Sequence, residues 1–136
     1  PEKCTFKPIK RMLFSKKLND LNNKDLVLTN LKKFAEAFNA RTHFVQVMDN
    51  AGNTNSVSEF QKYIEQKAIG GANVYSNLVS DDKFMAIQSY AQEHQIDVIT
   101  VVKRSKNVIS KFLKGSFSEK VVLNSHNPVL ILMDGL

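Results

Sequence analysis

Asp97-Val98-Ile99-Thr100-Val101-Val102 is the stretch on which the fold turns. Five β-branched residues follow the aspartate without interruption. Such side chains lose rotamer freedom in a helix and pack well on a pleated surface, so the segment reads as a strand. It does not alternate polar with apolar. A strand with that pattern is covered on both faces, as happens in a parallel sheet with helices above and below.

Downstream, Val129-Leu-Ile-Leu-Met133 is a last apolar strand, set off by Asn127-Pro128. Upstream, Ser80 is placed to cap a helix whose first turn carries Asp81 and Asp82, with Phe84, Ile87 and Ala91 as the buried stripe. Asn73 to Val79 alternates weakly and reads as a strand exposed on one face, at a sheet edge. Ser56 with Glu59 forms a capping box before Phe60, Tyr63, Ile64 and Ala68, and Gly70-Gly71 stops that helix. His43 to Met48 is a strand, and Leu28, Leu31, Phe34, Ala35 and Phe38 line the core face of an earlier helix. Ile9 to Ser15 is the first strand, after a polar, linker-like segment over residues 1–8. Strands and helices therefore alternate along the chain. This predicts a parallel sheet with helices on both faces, joined by right-handed crossovers.

Between the fourth and fifth strands lies Lys114-Gly-Ser-Phe-Ser-Glu-Lys-Val-Val122. Ser116 and Glu119 form a capping box, and a helix is expected over about Phe117 to Asn124. Val108, Ile109, Phe112 and Leu113 sit at helical spacing just before it. A glycine beside unpaired N–H groups at the positive end of a helix is a ready anion site, although most serine-capped helices bind nothing. The surrounding charge adds weight. Lys103 to Lys120 holds six basic residues against one acid, a net of +5, within a chain whose formal charge is +6. That run fits a phosphate or polyanion, or simply a solvated lysine-rich face. In a sheet of this kind ligands gather beyond the carboxyl ends of the strands, where this loop and helix start belong.

The composition is that of one ordinary globular domain: 136 residues, 43% hydrophobic and 24% charged. No run of about 18 apolar residues occurs, so no helix is expected to cross a membrane. The lone Cys4 forms no internal disulfide and fits a cytoplasmic setting. His43, His94 and His126 lack metal-ligand spacing and are read as structural or exposed. No nucleophile–base pair or paired carboxylates can be placed, so no enzyme activity is expected. The tyrosines lack the interleaving of a single-strand binder, and no nucleic-acid recognition signature is visible.

The segment from Asp97 to Met133, with Lys-Gly-Ser-Phe-Ser-Glu-Lys-Val-Val and Asn-Pro-Val-Leu-Ile-Leu, resembles a universal stress protein domain. Ala35, Phe38, Ala40 and His43-Phe-Val-Gln-Val are similar to that family's first helix and second strand. The resemblance implies a Rossmann-like, three-layer α/β/α fold of the adenine-nucleotide alpha hydrolase-like type over residues 9–136. Its five-stranded parallel sheet has the order 3-2-1-4-5. Phe6-Lys-Pro-Ile-Lys-Arg is similar to the join in tandem members, and the chain opens at Pro1, so a second, C-terminal domain of a longer protein is expected. Expected partners are a second copy or a sister domain, through the edge strand Val129 to Met133.

Nucleotide-binding members carry Gly, two residues, Gly, nine residues, then Gly-Ser or Gly-Thr. Carried onto this chain, Gly115-Ser116 fills the last element, Ser105 stands at the second glycine and Val102 at the first. A valine cannot take a positive φ cheaply, and its side chain fills space that a phosphate needs. The family's aspartate after the first strand falls in Ser15-Lys16-Lys17-Leu18, where a lysine, Lys17, stands near its position. The implied nucleotide pocket is degenerate and no cofactor is expected. Gly115, Ser116 and Ser118 keep an anion site, through which ATP or AMP is the alternative ligand.

Overall fold

The computed structural model describes residues 8–16, 21–48, 56–66, 73–103 and 127–134, without the side chains of 56–60. The elements are β1 (Arg11–Phe14), α1 (Lys24–Phe38), β2 (Arg41–Met48), α2 (Ser56–Gln66), β3 (Val74–Val79), α3 (Lys83–Glu93), β4 (Val98–Lys103) and β5 (Val129–Met133). All strand pairings are parallel, and the order is β3-β2-β1-β4-β5. The expected sheet is therefore the one formed. The first strand is shorter than Ile9 to Ser15, and β4 is set one residue later than Asp97 to Val102.

Alternation along the strands divides two cores. Met12, Phe14, Phe44, Val98 and Leu132 face α1 and α2, where Val27, Leu28, Leu31, Ala35 and Ile64 pack on them. Leu13, Val45, Ile99 and Val101 face α3, where Ile87, Tyr90 and Ala91 cover them. The stripe of α1 is rotated from the one read in the sequence. Val27 joins it, while Phe38 is 48% exposed and leans on Phe34 with ring centroids 4.8 Å apart. The rotation has a physical cause: Phe38 is the last helical residue, and Asn39 then turns left-handed at φ 52°, carrying the chain into β2 before a further helical turn could bury the ring.

Ser80 is not the cap of α3. Asp82 is, its carboxylate accepting from Met85 N at 3.1 Å. Ser80 makes the turn before it, its hydroxyl accepting from Asp82 N at 3.0 Å. At the amino edge of the sheet Asp97 staples β1 to β4: its Oδ2 accepts from Lys10 N at 2.8 Å and Arg11 N at 3.0 Å. On the α1 side, the Tyr63 hydroxyl of α2 donates to Asp25 of α1, and the Lys24 Nζ stands 5.5 Å above the Tyr63 ring. β3 and β5 are the two edges. No helix among the described residues is long and apolar enough to cross a membrane.

Candidate functional site

Strand order reverses between β1 and β4, so the carboxyl ends of those strands border the crevice in which a ligand of such a sheet sits. Its rims are already bonded. Beyond β1, the Gln46 Nε2 donates to Lys16 O at 3.1 Å and the Lys83 Nζ to Ser15 O at 3.5 Å. Gln46 is buried on β2 and Lys83 opens α3, so two neighbouring elements grip the main chain where β1 ends.

Beyond β4, the Lys103 carbonyl accepts from Asp134 N at 2.7 Å. Asp134 is 1% exposed, and its carboxylate reaches the start of α1. Oδ2 accepts from Asn22 N at 2.6 Å and Oδ1 from Asn23 N at 2.7 Å. Asn23 is itself the N-cap, its side chain accepting from Leu26 N at 3.1 Å. A helix start with free N–H groups attracts anions. Here the anion at the start of α1 is the chain's own carboxylate, held by two charge-assisted bonds that offset its burial.

Of the residues singled out in the sequence, Val102 lies on β4, half-buried, with its side chain packed against the α1 core. Ser105, Gly115, Ser116 and Ser118 lie outside the described residues, as do Lys17 and the helices expected over 108–113 and 117–124. Asp134, Gln46 and Lys83 were missed. Asp134 carries no local signal, because its partners are 111 and 112 residues away in sequence. A buried glutamine amid the apolar residues of β2 was the visible hint for Gln46. Lys16, Lys83 and the buried Lys103 are the charged residues gathered at these strand ends with Asp134. Among the described residues these strand ends are rich in donors, and the Asp134 carboxylate is already bonded to the main chain. No group of three or more His, Cys, Asp or Glu among the described residues could hold a metal.

A second polar cluster lies under α3. His43 on β2 is 4% exposed, and its Nδ1 is 2.7 Å from the Tyr90 hydroxyl oxygen, which lies 3.2 Å from the Ser76 Oγ. Tyr90 stacks on His94 at 4.0 Å between centroids, and the two imidazoles are 5.7 Å apart. The His43 Nε2 is buried with no hydrogen-bond partner. Burial first, then the positive charges of His94, Arg41 and Arg11, push the pKa of His43 down to about 4. The imidazole is neutral at physiological pH. His43 and His94, read separately in the sequence, belong to one cluster. His126 lies outside the described residues.

A sequence profile described as the Universal stress protein family matches residues 20–132. No curated protein sequence matches the chain. Among solved structures, a universal stress protein in complex with cAMP is similar at a TM-score of 0.74 and 18% identity, over 94% of this chain and 99% of that one. The universal stress protein from Archaeoglobus fulgidus in complex with dAMP is similar at 0.63 and 15%, over 90% and 96%. Another, from Archaeoglobus fulgidus DSM 4304, is similar at 0.70 and 20%; 94% of this chain aligns with 45% of that one. At these identities the likeness establishes the fold.

Proposed function

Because the chain belongs to the universal stress protein family, we propose that it is a non-catalytic, regulatory domain of the stress response, acting by association and carrying a degenerate nucleotide pocket. The observation that carries this reading is the bonded state of the crevice rims. The Asp134 carboxylate takes two amides at the start of α1, and Gln46 and Lys83 take the carbonyls that end β1. Val102 adds a side chain where a triphosphate would need bare backbone.

Association has a surface to use. β5 is an edge strand, and its Ile131 is 45% exposed while Leu130 packs against the core. Homodimerisation through this edge, or pairing with a sister domain, follows from that exposure. The match to less than half of a longer universal stress protein supports the tandem arrangement. Light scattering on Ile131→Lys tests it: the assembly should fall to a monomer, and an unchanged mass excludes this edge.

The second reading is an ATP or AMP sensor working through Gly115, Ser116 and Ser118. It is supported by similar proteins solved with cAMP and dAMP. Calorimetry with ATP and AMP, with and without magnesium, separates the two. Absence of heat supports the degenerate pocket. Saturable binding that is lost in Ser116→Ala establishes the sensor instead.

A further inference from the structure

A wide cleft lies at the opposite end of the sheet, at the amino edge below α3. It has a volume of about 770 Å³, within the range of small-molecule sites. Its walls present Lys10, Arg11, Gln88, Gln92, Gln95 and Asn127. These are side chains with N–H donors in plenty. The one acid lining it is Asp97, whose Oδ2 already accepts from the main-chain N–H groups of Lys10 and Arg11.

Two features mark this cleft as unsatisfied. Arg11 lines the cleft, and its register partner Arg41, at the first position of β2, lines the adjoining cleft that shares Lys10 and Arg11, so two arginines start adjacent strands. Neither makes an ion pair among the described residues. Two like charges on neighbouring strands repel unless an anion sits near them. The Gln88 Nε2 is buried and has no acceptor. A buried amide left without its hydrogen bond is costly, and a ligand with an acceptor group removes that cost.

We propose that this amino-edge cleft is a second ligand site, taking a small molecule that bears a phosphate or carboxylate group, with Arg11 and Lys10 holding the anion, Arg41 reinforcing it and the Gln88 amide donating to a neutral acceptor. The site is independent of the crevice at the carboxyl ends of the strands, and stands or falls without it. Its position beside the β1 start and the C-terminal half of α3 couples an occupant to Asp97, the staple between β1 and β4.

The test is a titration of isotope-labelled protein with inorganic phosphate, and separately with citrate, at constant ionic strength, reading the Arg11 and Arg41 Nε–H and Gln88 side-chain amide resonances. Saturable shifts at these three groups are expected. Arg11→Gln should weaken binding about tenfold, the loss of one charge-assisted bond. Arg41→Gln, at an exposed position, should weaken it by a smaller factor without disturbing the fold. Phosphate binding without citrate, or the reverse, identifies which anionic group the site takes. Shifts that stay linear in concentration, or a curve unchanged in both variants, overturn the proposal. ATP added to the same samples reports on the other crevice through the Ser15, Lys16 and Lys103 amides, so the two readings fail separately.

Discussion

Lowering the pH from 7 to 5 should remove about 2 kcal/mol of stability through His43 alone. The unfolded imidazole titrates near 6.5, whereas in the fold its pKa is held down at about 4. The native state therefore refuses a proton that the unfolded state accepts. Stability is complete above the unfolded pKa and is lost as the pH falls through the window from 6.5 to 4. The loss levels off below that at about 3 kcal/mol, the full gap at about 1.36 kcal/mol per unit. Carboxylates titrate in the same range, so the contribution must be isolated. Urea unfolding followed by far-UV circular dichroism at pH 7 and pH 5, on the wild type and on His43→Gln, does so. The variant should be weaker at pH 7, because Tyr90 loses the shorter of its two hydroxyl contacts, yet it should lose about 2 kcal/mol less than the wild type on going to pH 5. Ring-proton NMR should place the His43 midpoint near 4. Equal pH slopes in the two proteins, or a midpoint near 6.5, would refute the reasoning.

Asp134→Ala should cost about 2–4 kcal/mol, since two buried amides at the start of α1 lose their acceptor; a midpoint in urea within 0.5 kcal/mol of wild type, by the ~1–3 kcal/mol scale for one unsatisfied group, contradicts the bonded-rim description. Leu31→Ala, at a fully buried position of α1, should cost about 2–5 kcal/mol in the same assay. Asn39→Ala should cost about 1 kcal/mol, because alanine resists the left-handed backbone there, while Asn39→Gly should be neutral or better; equal losses in both would remove backbone strain as the cause.

What could be read from the sequence was what depends on near neighbours. The β-branched run of β4 is continuous, so its burial on both faces shows without knowledge of partners, and the alternation of strands with helices pointed to a parallel sheet; the strand order came from the family resemblance. Caps were read less well. Ser80 and Asp82 both fit an N-cap, and choosing between them requires knowing which carboxylate lies over Met85 N. The site was least legible where it depends on distant pairs. Asp134 meets residues 22 and 23, and His43 meets Tyr90 across 47 positions; neither pairing has a period or a spacing to reveal it. The resemblance singled out Val102 because a missing glycine is a local fact. The filling of the crevice rims from β2, α3 and the residue after β5 is a property of the folded chain.

The bond between Asp134 and the start of α1 also sets an order on assembly during translation. A ribosome that has released residues up to Lys103 has delivered four of the five strands and every residue of α1. The amides of Asn22 and Asn23 still lack the carboxylate that closes them, because it is made about thirty residues later. The earliest helix of this domain is thus finished by one of its latest residues, and a nascent chain stalled before position 134 carries an open helix start to whatever waits at the exit tunnel.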